Sequence, residues 1–218
     1  MGDLPVYDVV LLPPQEVDDA SVRLSRRCAS FAATEFVLTP DGPYSHLSLF
    51  MANFDSSACA EASALLRGLS ARTPSLPLQG DHFSGNDQGM FELFYRASAG
   101  LTKLQEDVIA ALAPLRTGLR RRDPVGRVLA EYRLTAPAVA RDNLERWGYD
   151  EVGELFRPHI TVARFVSRGD ALSEPLDPRP FSGLFTTLAL CVMGEHGTCT
   201  EIVETYALTA EAPSPAVP

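Results

Sequence analysis

Residues 156–165 read FRPHITVARF and have the composition of a β-strand. β-branched and aromatic residues favour strands, and Pro158 stands near the entry, where a missing backbone N–H costs least. Side chains two residues apart on a strand point to the same face, so we expect His159 and Thr161 side by side, about 6.5–7 Å apart. The intervening apolar residues then point into a core. An imidazole beside a hydroxyl can hold a phosphoryl oxygen and move a proton.

A second copy of this pattern occurs at residues 44–50, which read YSHLSLF. His46 and Ser48 would share one strand face, with leucines on the other. The spacing alone is weak evidence, because all four histidines of the chain precede a Ser or Thr by two residues. His82 stands in a polar, glycine-containing run that predicts a loop, and His196 in a predicted hairpin turn. An alternative interpretation of both strand histidines is a half-buried residue with a purely structural role.

Length and charge limit the classes of protein to consider. The chain has 218 residues, 45% of them hydrophobic, and we expect one bilobal domain over residues 1–209 followed by a disordered tail at 210–218. A net charge of −9, with Lys103 as the single lysine, argues against broad binding to a nucleic-acid backbone. The net charge is still compatible with a small anionic ligand held by a few arginines. The run Arg120-Arg121-Arg122 is either a solvated loop or a loop that meets such an anion.

The remaining compositional features point to an intracellular protein. Four cysteines occur without a C-x-x-C pattern, which predicts reduced thiols. No apolar run is long enough to span a membrane, and the N-terminus lacks the features of a signal peptide. We therefore expect a cytoplasmic location.

The order of predicted elements indicates an α+β fold with mostly antiparallel sheets. Neither a G-x-G-x-x-G nor a Walker A sequence occurs, which argues against dinucleotide-binding and P-loop folds. Strands are predicted at 6–12, 35–38, 44–50, 75–78, 89–96, 156–165, 185–193 and 199–208, and helices at 15–33, 55–69, 98–115 and 135–147.

Two H-x-[ST]-apolar motifs, HLSL at 46–49 and HITV at 159–162, resemble those of the 2H phosphoesterase superfamily. That group includes 2′-5′ RNA ligase-like proteins and cyclic phosphodiesterases. An N-terminal strand ending in Pro13-Pro14 and the Ala163-Arg164 pair after the second motif add to the resemblance. The similar order of elements covers nearly the whole chain. It implies a bilobal fold in which two mostly antiparallel sheets face a central cleft, with helices outside.

The resemblance also implies a metal-independent phosphodiesterase that needs no cofactor. It would hydrolyse a 2′,3′-cyclic phosphate or a 2′-5′ linkage of an RNA end or small nucleotide, with His46 and His159 as general acid and base. Ser48 and Thr161 would donate hydrogen bonds to the non-bridging oxygens. The sequence leaves open which histidine is the acid. Its acidic charge favours a small ligand, with no membrane and no DNA as partner.

Two further residues receive roles from the resemblance. Family members use an arginine at the place of Arg164 against the substrate phosphate, although strict alternation sends this side chain to the face opposite His159. A bulge or strand end after Ala163 would reconcile the two. Tyr7, on the first strand, would stack on a base as an aromatic residue does in relatives, or it is simply a half-buried strand residue.

Other functions stay open at this point. The runs NLERWGY at 143–149 and FRPH at 156–159 are similar to 2H proteins encoded with phosphonate-degradation enzymes, although Pro158 departs from that pattern. One alternative is therefore a cyclic ribose phosphate phosphodiesterase of phosphonate metabolism. Another is a non-catalytic module that binds phosphorylated ribose or nucleotide. A two-histidine metal site is disfavoured, because neither motif carries a second ligand at metal-binding spacing.

Overall fold

Strands and helices follow one another along the chain in nearly the predicted order. The computed structural model describes residues 4–170, 172 and 174–210, and within them it contains nine strands and five α-helices. The strands are β1 (Val6–Leu12), β2 (Leu47–Asn53), β3 (Leu76–Leu78), β4 (Gly80–Gly85), β5 (Met90–Tyr95), β6 (His159–Arg164), β7 (Gly183–Phe185), β8 (Thr187–Met193) and β9 (Cys199–Ala207). The helices are α1 (Gln15–Phe31), α2 (Ser56–Ser70), α3 (Ala99–Leu112), α4 (Leu129–Thr135) and α5 (Ala138–Trp147).

Two antiparallel sheets carry the two motifs at their edges. One sheet has the strand order β2-β1-β8-β9 and the other the order β4-β5-β6, and a small third sheet pairs β3 with β7. The first motif begins directly before β2, and the second begins β6, so each histidine enters from an edge strand. The predicted α+β fold with antiparallel sheets is confirmed; the small third sheet was not expected.

One apolar cluster joins the two sheets. It contains Leu49 and Phe50 of β2 together with Leu93 of β5 and Ile160 of β6, all without solvent exposure. The predicted helix after Ser98 is present as α3, and the Ser98 hydroxyl caps it by accepting from a backbone N–H. Its apolar stripe is buried in the same cluster, as its spacing predicts. The single domain over 1–209 stays a prediction, and the tail at 210–218 lies, from residue 211 onward, outside the described residues.

Both histidine-bearing strands contain a bulge at the same point of their motif. The register skips Leu49 where β2 pairs with β1, and it skips Val162 where β6 pairs with β5. Each skipped residue directly follows the hydroxyl residue of its motif. The bulge in β6 comes one residue before the predicted place. It has the expected effect on the alternation of side chains, because Val162 and Ala163 are both buried. Arg164 therefore returns to the half-buried face of the strand, which is the face of His159 and Thr161.

Two local predictions were wrong. No strand forms at 35–38 within the described chain: Thr34 makes an isolated bridge to Phe165, and the Leu38 backbone N–H instead donates to the Ser25 hydroxyl. The predicted loop around His82 is strand β4, whose polar residues are mostly exposed because it is an edge strand. There the ring of His82 stacks on Phe94 of β5 at a centroid distance of 4.9 Å.

The described cysteines and helices show neither a disulfide nor a membrane-spanning segment. The four cysteines are free thiols, as predicted. None of the described helices combines the length and apolarity required to cross a membrane.

Candidate active site

A cavity of about 300 Å³ lies where β2 and β6 approach each other. His46, Ser48, His159 and Thr161 all line it, so four of the six predicted site residues are brought to one space. The rest of the wall comes from Met51 of β2, from β5, from Arg157 before β6, and from four connecting loops at residues 86–88, 120–127, 149–151 and 196–197.

The two imidazoles are held by the same backbone contact. His46 Nδ1 lies 2.8 Å from the Tyr44 carbonyl oxygen, and His159 Nδ1 lies 2.7 Å from the Arg157 carbonyl oxygen. Because a carbonyl can only accept, Nδ1 carries the proton in both rings. Nε2 is then the nitrogen available for proton transfer in each histidine.

Each Nε2 atom has a carboxylate behind it, on the neighbouring inner strand. Asp8 Oδ2 of β1 lies 3.8 Å from His46 Nε2, and Glu92 Oε1 of β5 lies 3.5 Å from His159 Nε2. Both carboxylates are buried. Sequence reasoning missed them, although each is a lone acidic residue within an apolar strand, which is a signal for a residue with a specific partner.

Burial makes the two halves of the site electrostatically different. It lowers the pKa of His46, an effect opposed by the Tyr44 and Gly197 carbonyls and reinforced by the charge of His159. Burial also raises the pKa of the Asp8 carboxyl to about 7, against the opposing effects of the Ser48 hydrogen bond and the Arg120 charge. His46 is therefore a neutral base near neutral pH, beside a carboxyl that is only partly ionised.

The two motif hydroxyls are not equivalent. Ser48 Oγ donates to Asp8 Oδ2 at 2.6 Å, so its single hydrogen is already occupied when Asp8 is ionised. Thr161 has no hydrogen-bonded side-chain partner within the described chain and is half-buried in the cavity wall. The prediction that both hydroxyls donate to a substrate oxygen therefore fits Thr161 directly, and Ser48 only when Asp8 is protonated.

An acidic loop at 149–151 forms one side of the cavity. Gln105 of α3 donates to the Glu151 carbonyl at 2.8 Å, and Asn143 of α5 donates to the Asp150 carbonyl at 2.9 Å, so two side-chain amides hold the loop. Burial raises the pKa of the Glu151 carboxyl, while the charges of His159 and Arg157 oppose the shift.

In total, the wall of the cavity includes five carboxyl side chains and three arginines; the carboxyls belong to Asp87, Glu92, Asp123, Asp150 and Glu151.

Arg164 does not line the cavity. Its guanidinium donates to the carbonyls of Gln88, Pro124 and Val125 and to His196 Nδ1, at 2.8 to 3.3 Å. These four acceptors belong to three of the loops that form the cavity wall. The position gives the expected phosphate contact no support, because the donors of Arg164 already hold the loops together.

Tyr7 also lies away from the cavity. Alternation along β1 directs it opposite Asp8, and its ring stacks on Phe54 at 5.8 Å. The predicted base-stacking role is therefore unsupported, and Tyr7 is a half-buried packing residue.

Two cavity residues come from segments that sequence reasoning left undecided or set aside. His196 lies in the predicted β8–β9 turn and lines the cavity. Its Nδ1 accepts from Arg164, which can only donate, and its Nε2 lies 3.7 Å from Glu35 Oε2. Of the arginine run, Arg120 is buried and lines the cavity, whereas Arg121 and Arg122 are exposed. The solvated-loop interpretation is thus wrong for Arg120.

Metal ligands are not grouped in this cavity. Across the part of the chain that the structure describes, no three His, Cys, Asp or Glu side chains are arranged to hold a metal ion.

Solved structures share the fold of this chain. TT0787 of Thermus thermophilus superimposes with a TM-score of 0.60 at 19% identity, covering 95% of this chain and 100% of that one. Apo LigT of E. coli gives a TM-score of 0.59 at 15% identity, covering 95% and 99%, and its complex with 3′-AMP gives 0.59 at 16% with the same coverage. The resemblance to 2H phosphoesterases is confirmed at the level of the fold.

The sequence also matches one protein family. Residues 86–198 match the family described as "Protein of unknown function (DUF1045)", and the chain belongs to that family. The match includes the second motif and the loops around the cavity, while the first motif lies before it. No curated protein matches the sequence.

Proposed function

We propose that this protein is a metal-independent phosphodiesterase that hydrolyses a 2′,3′-cyclic phosphate or a 2′-5′ linkage of a small nucleotide or RNA end. The observation that carries the proposal is the matched pair of imidazoles. Both have Nδ1 bonded to the carbonyl two residues earlier, and both line one cavity with Nε2 available. That arrangement suits a general base and a general acid acting on one phosphorus atom.

The asymmetry of the two half-sites supports one assignment of the acid and base roles. His46, whose pKa is lowered by burial, takes a proton from water at Nε2 while the water oxygen bonds to phosphorus. His159, whose Nε2 lies 3.5 Å from Glu92 Oε1, gives its Nε2 proton to the departing ribose oxygen as the P–O bond breaks. Thr161 donates to a non-bridging oxygen as negative charge develops. The product is a phosphomonoester.

The charge of the cavity favours a small substrate. A wall with five carboxyls and three arginines opposes a polyanion but accepts one phosphate, and carboxylates can accept hydrogen bonds from sugar hydroxyls. E. coli LigT, which has the same fold, was crystallised with phosphate and with 3′-AMP. A small nucleotide or a cyclic ribose phosphate fits these properties better than long RNA.

The test is turnover of a substrate panel in the presence of EDTA. The panel contains 2′,3′-cyclic nucleotides, 2′-5′ dinucleotides and a cyclic ribose phosphate, and the product is separated by chromatography. His46→Ala and His159→Ala should each reduce kcat by about 10²- to 10⁴-fold. His82→Ala, an exposed histidine outside the cavity lining, is the matched control and should behave as wild type. Undiminished turnover in either cavity variant would refute the mechanism, and tight binding without hydrolysis would favour a binding module instead.

A further inference from the structure

We infer that Arg120, rather than the arginine of the second motif, binds the substrate phosphate. The inference rests on the proposed function and adds a residue to its site. Arg120 lines the same cavity as both histidines, from the loop that follows α3, and is 2% exposed.

Among the three arginines of the cavity wall, Arg120 has two buried N–H donors without an acceptor in the described chain. Its Nη1 donates to the sulfur of Met51 at 3.3 Å, but its buried Nε and Nη2 have no hydrogen-bond partner among the described residues. These two atoms share one edge of the planar guanidinium. Buried donors without acceptors are costly, so this edge would be stabilised by a ligand that supplies two acceptors. Because both atoms are closed to solvent in this conformation, the side chain must turn toward the cavity when such a ligand binds.

Phosphate oxygens are such acceptors. A guanidinium edge binds two oxygens of one phosphate with parallel hydrogen bonds, a geometry that lysine cannot reproduce. The charge of Arg120 also acts at the catalytic end of the cavity, because it opposes the raised pKa of the Asp8 carboxyl. A phosphate on this edge would therefore lie near the His46 half-site.

The other arginines are already engaged. Arg127 pairs with Asp123 and lies 3.6 Å from Asp150, and Arg157 lies 3.5 Å from Glu151. Arg164 is held by three carbonyls and an imidazole. At Arg127 and Arg157 a phosphate would compete with a carboxylate that already holds part of the positive charge, whereas no carboxylate of the described residues contacts Arg120.

The experiment measures binding of inorganic phosphate by calorimetry, together with steady-state kinetics on the best substrate of the panel. Arg120→Gln should weaken phosphate binding at least tenfold and lower kcat/KM by about a hundredfold. Arg120→Lys keeps the positive charge opposite Asp8 and should give an intermediate affinity, since it lacks the fork. Arg122→Gln, an exposed neighbour outside this cavity, should match wild type.

The outcomes separate this inference from the proposed reaction. Wild-type phosphate affinity in folded Arg120→Gln protein overturns the role of Arg120, and wild-type affinity in Arg120→Lys overturns the two-bond geometry, whatever the histidine variants do. If Arg120→Gln lost phosphate binding while no substrate of the panel was hydrolysed, the anion site would stand and the proposed reaction would fall. Thermal unfolding of each variant establishes that the fold is intact.

Discussion

Replacing Asp8 by asparagine should change how stability depends on pH. The carboxyl is completely buried, and burial raises its pKa from 3.8 to about 7. The native state therefore holds this proton more tightly than the unfolded chain does. By linkage, the contribution of Asp8 to stability is fully present below about pH 4 and is lost as pH rises to about 7.

The size of the effect follows from the shift. Roughly 3 pKa units at 1.36 kcal/mol each amount to about 4 kcal/mol, of which roughly 2.5 kcal/mol falls between pH 5 and pH 8. Asp8→Asn removes the titration but keeps the shape, and its amide can donate to the Ser48 oxygen. The free energy of unfolding of Asp8→Asn minus that of wild type should therefore rise by about 2.5 kcal/mol between pH 5 and pH 8.

Urea denaturation at a series of pH values measures the difference, because groups that titrate equally in both proteins cancel. Asp142→Asn, which changes an exposed carboxyl on α5, controls for the loss of one negative charge. A pH-independent difference between Asp8→Asn and wild type would mean that Asp8 is not held protonated by burial, and the asymmetry of the two half-sites would lose its basis.

Three further changes test other parts of the structure. Gly89→Ala should lower the free energy of unfolding by about 3 kcal/mol in urea denaturation, because φ is +80° and a Cβ would lie 2.5 Å from a backbone carbonyl oxygen. Its control, Gly118→Ala, has φ +70° but open space around it, so it should cost only about 1 kcal/mol. Gln105→Leu should cost about 2 kcal/mol, because it leaves one buried and one part-buried carbonyl without their donor, and equal stability to wild type would contradict this. Glu92→Gln should lower kcat about tenfold with little change in KM, since it removes the charge beside His159; an unchanged kcat would argue against His159 as the acid.

The fold could be predicted from the sequence because its signals are local. The apolar run that ends at Pro13-Pro14 gave β1 with its observed bounds, and Ser98 capped α3 as predicted. The failures have a physical cause as well. At β4 the residues around His82 are polar because the strand is an exposed edge, and an exposed edge strand has the same composition as a loop.

Only the motif residues of the site could be predicted, because the other residues reach it through contacts between segments that are distant in the sequence. The motif spacing pointed to His46 and His159, but the carboxylates beside them come from β1 and β5, and no spacing within a motif identifies a cross-strand partner. The different positions of Arg120 and Arg164 likewise depend on where three loops meet. Both arginines have the same charge in the sequence, and only the acceptors that the folded chain places around each of them distinguish the two.

The contact between Ser48 and Asp8 has a consequence for the pH dependence of turnover. Ser48 can donate to a substrate oxygen only when Asp8 carries the proton, whereas His46 can act as a base only when it is neutral. Since the pKa of His46 is lowered and that of Asp8 is about 7, both conditions hold together in a window that ends near pH 7. We therefore expect kcat/KM to reach its maximum at slightly acidic pH and to fall above neutrality. In Asp8→Asn the asparagine amide keeps the Ser48 hydrogen free at every pH, so the decline attributable to Asp8 should disappear; an identical alkaline limb in both proteins would exclude Ser48 as a donor controlled by Asp8.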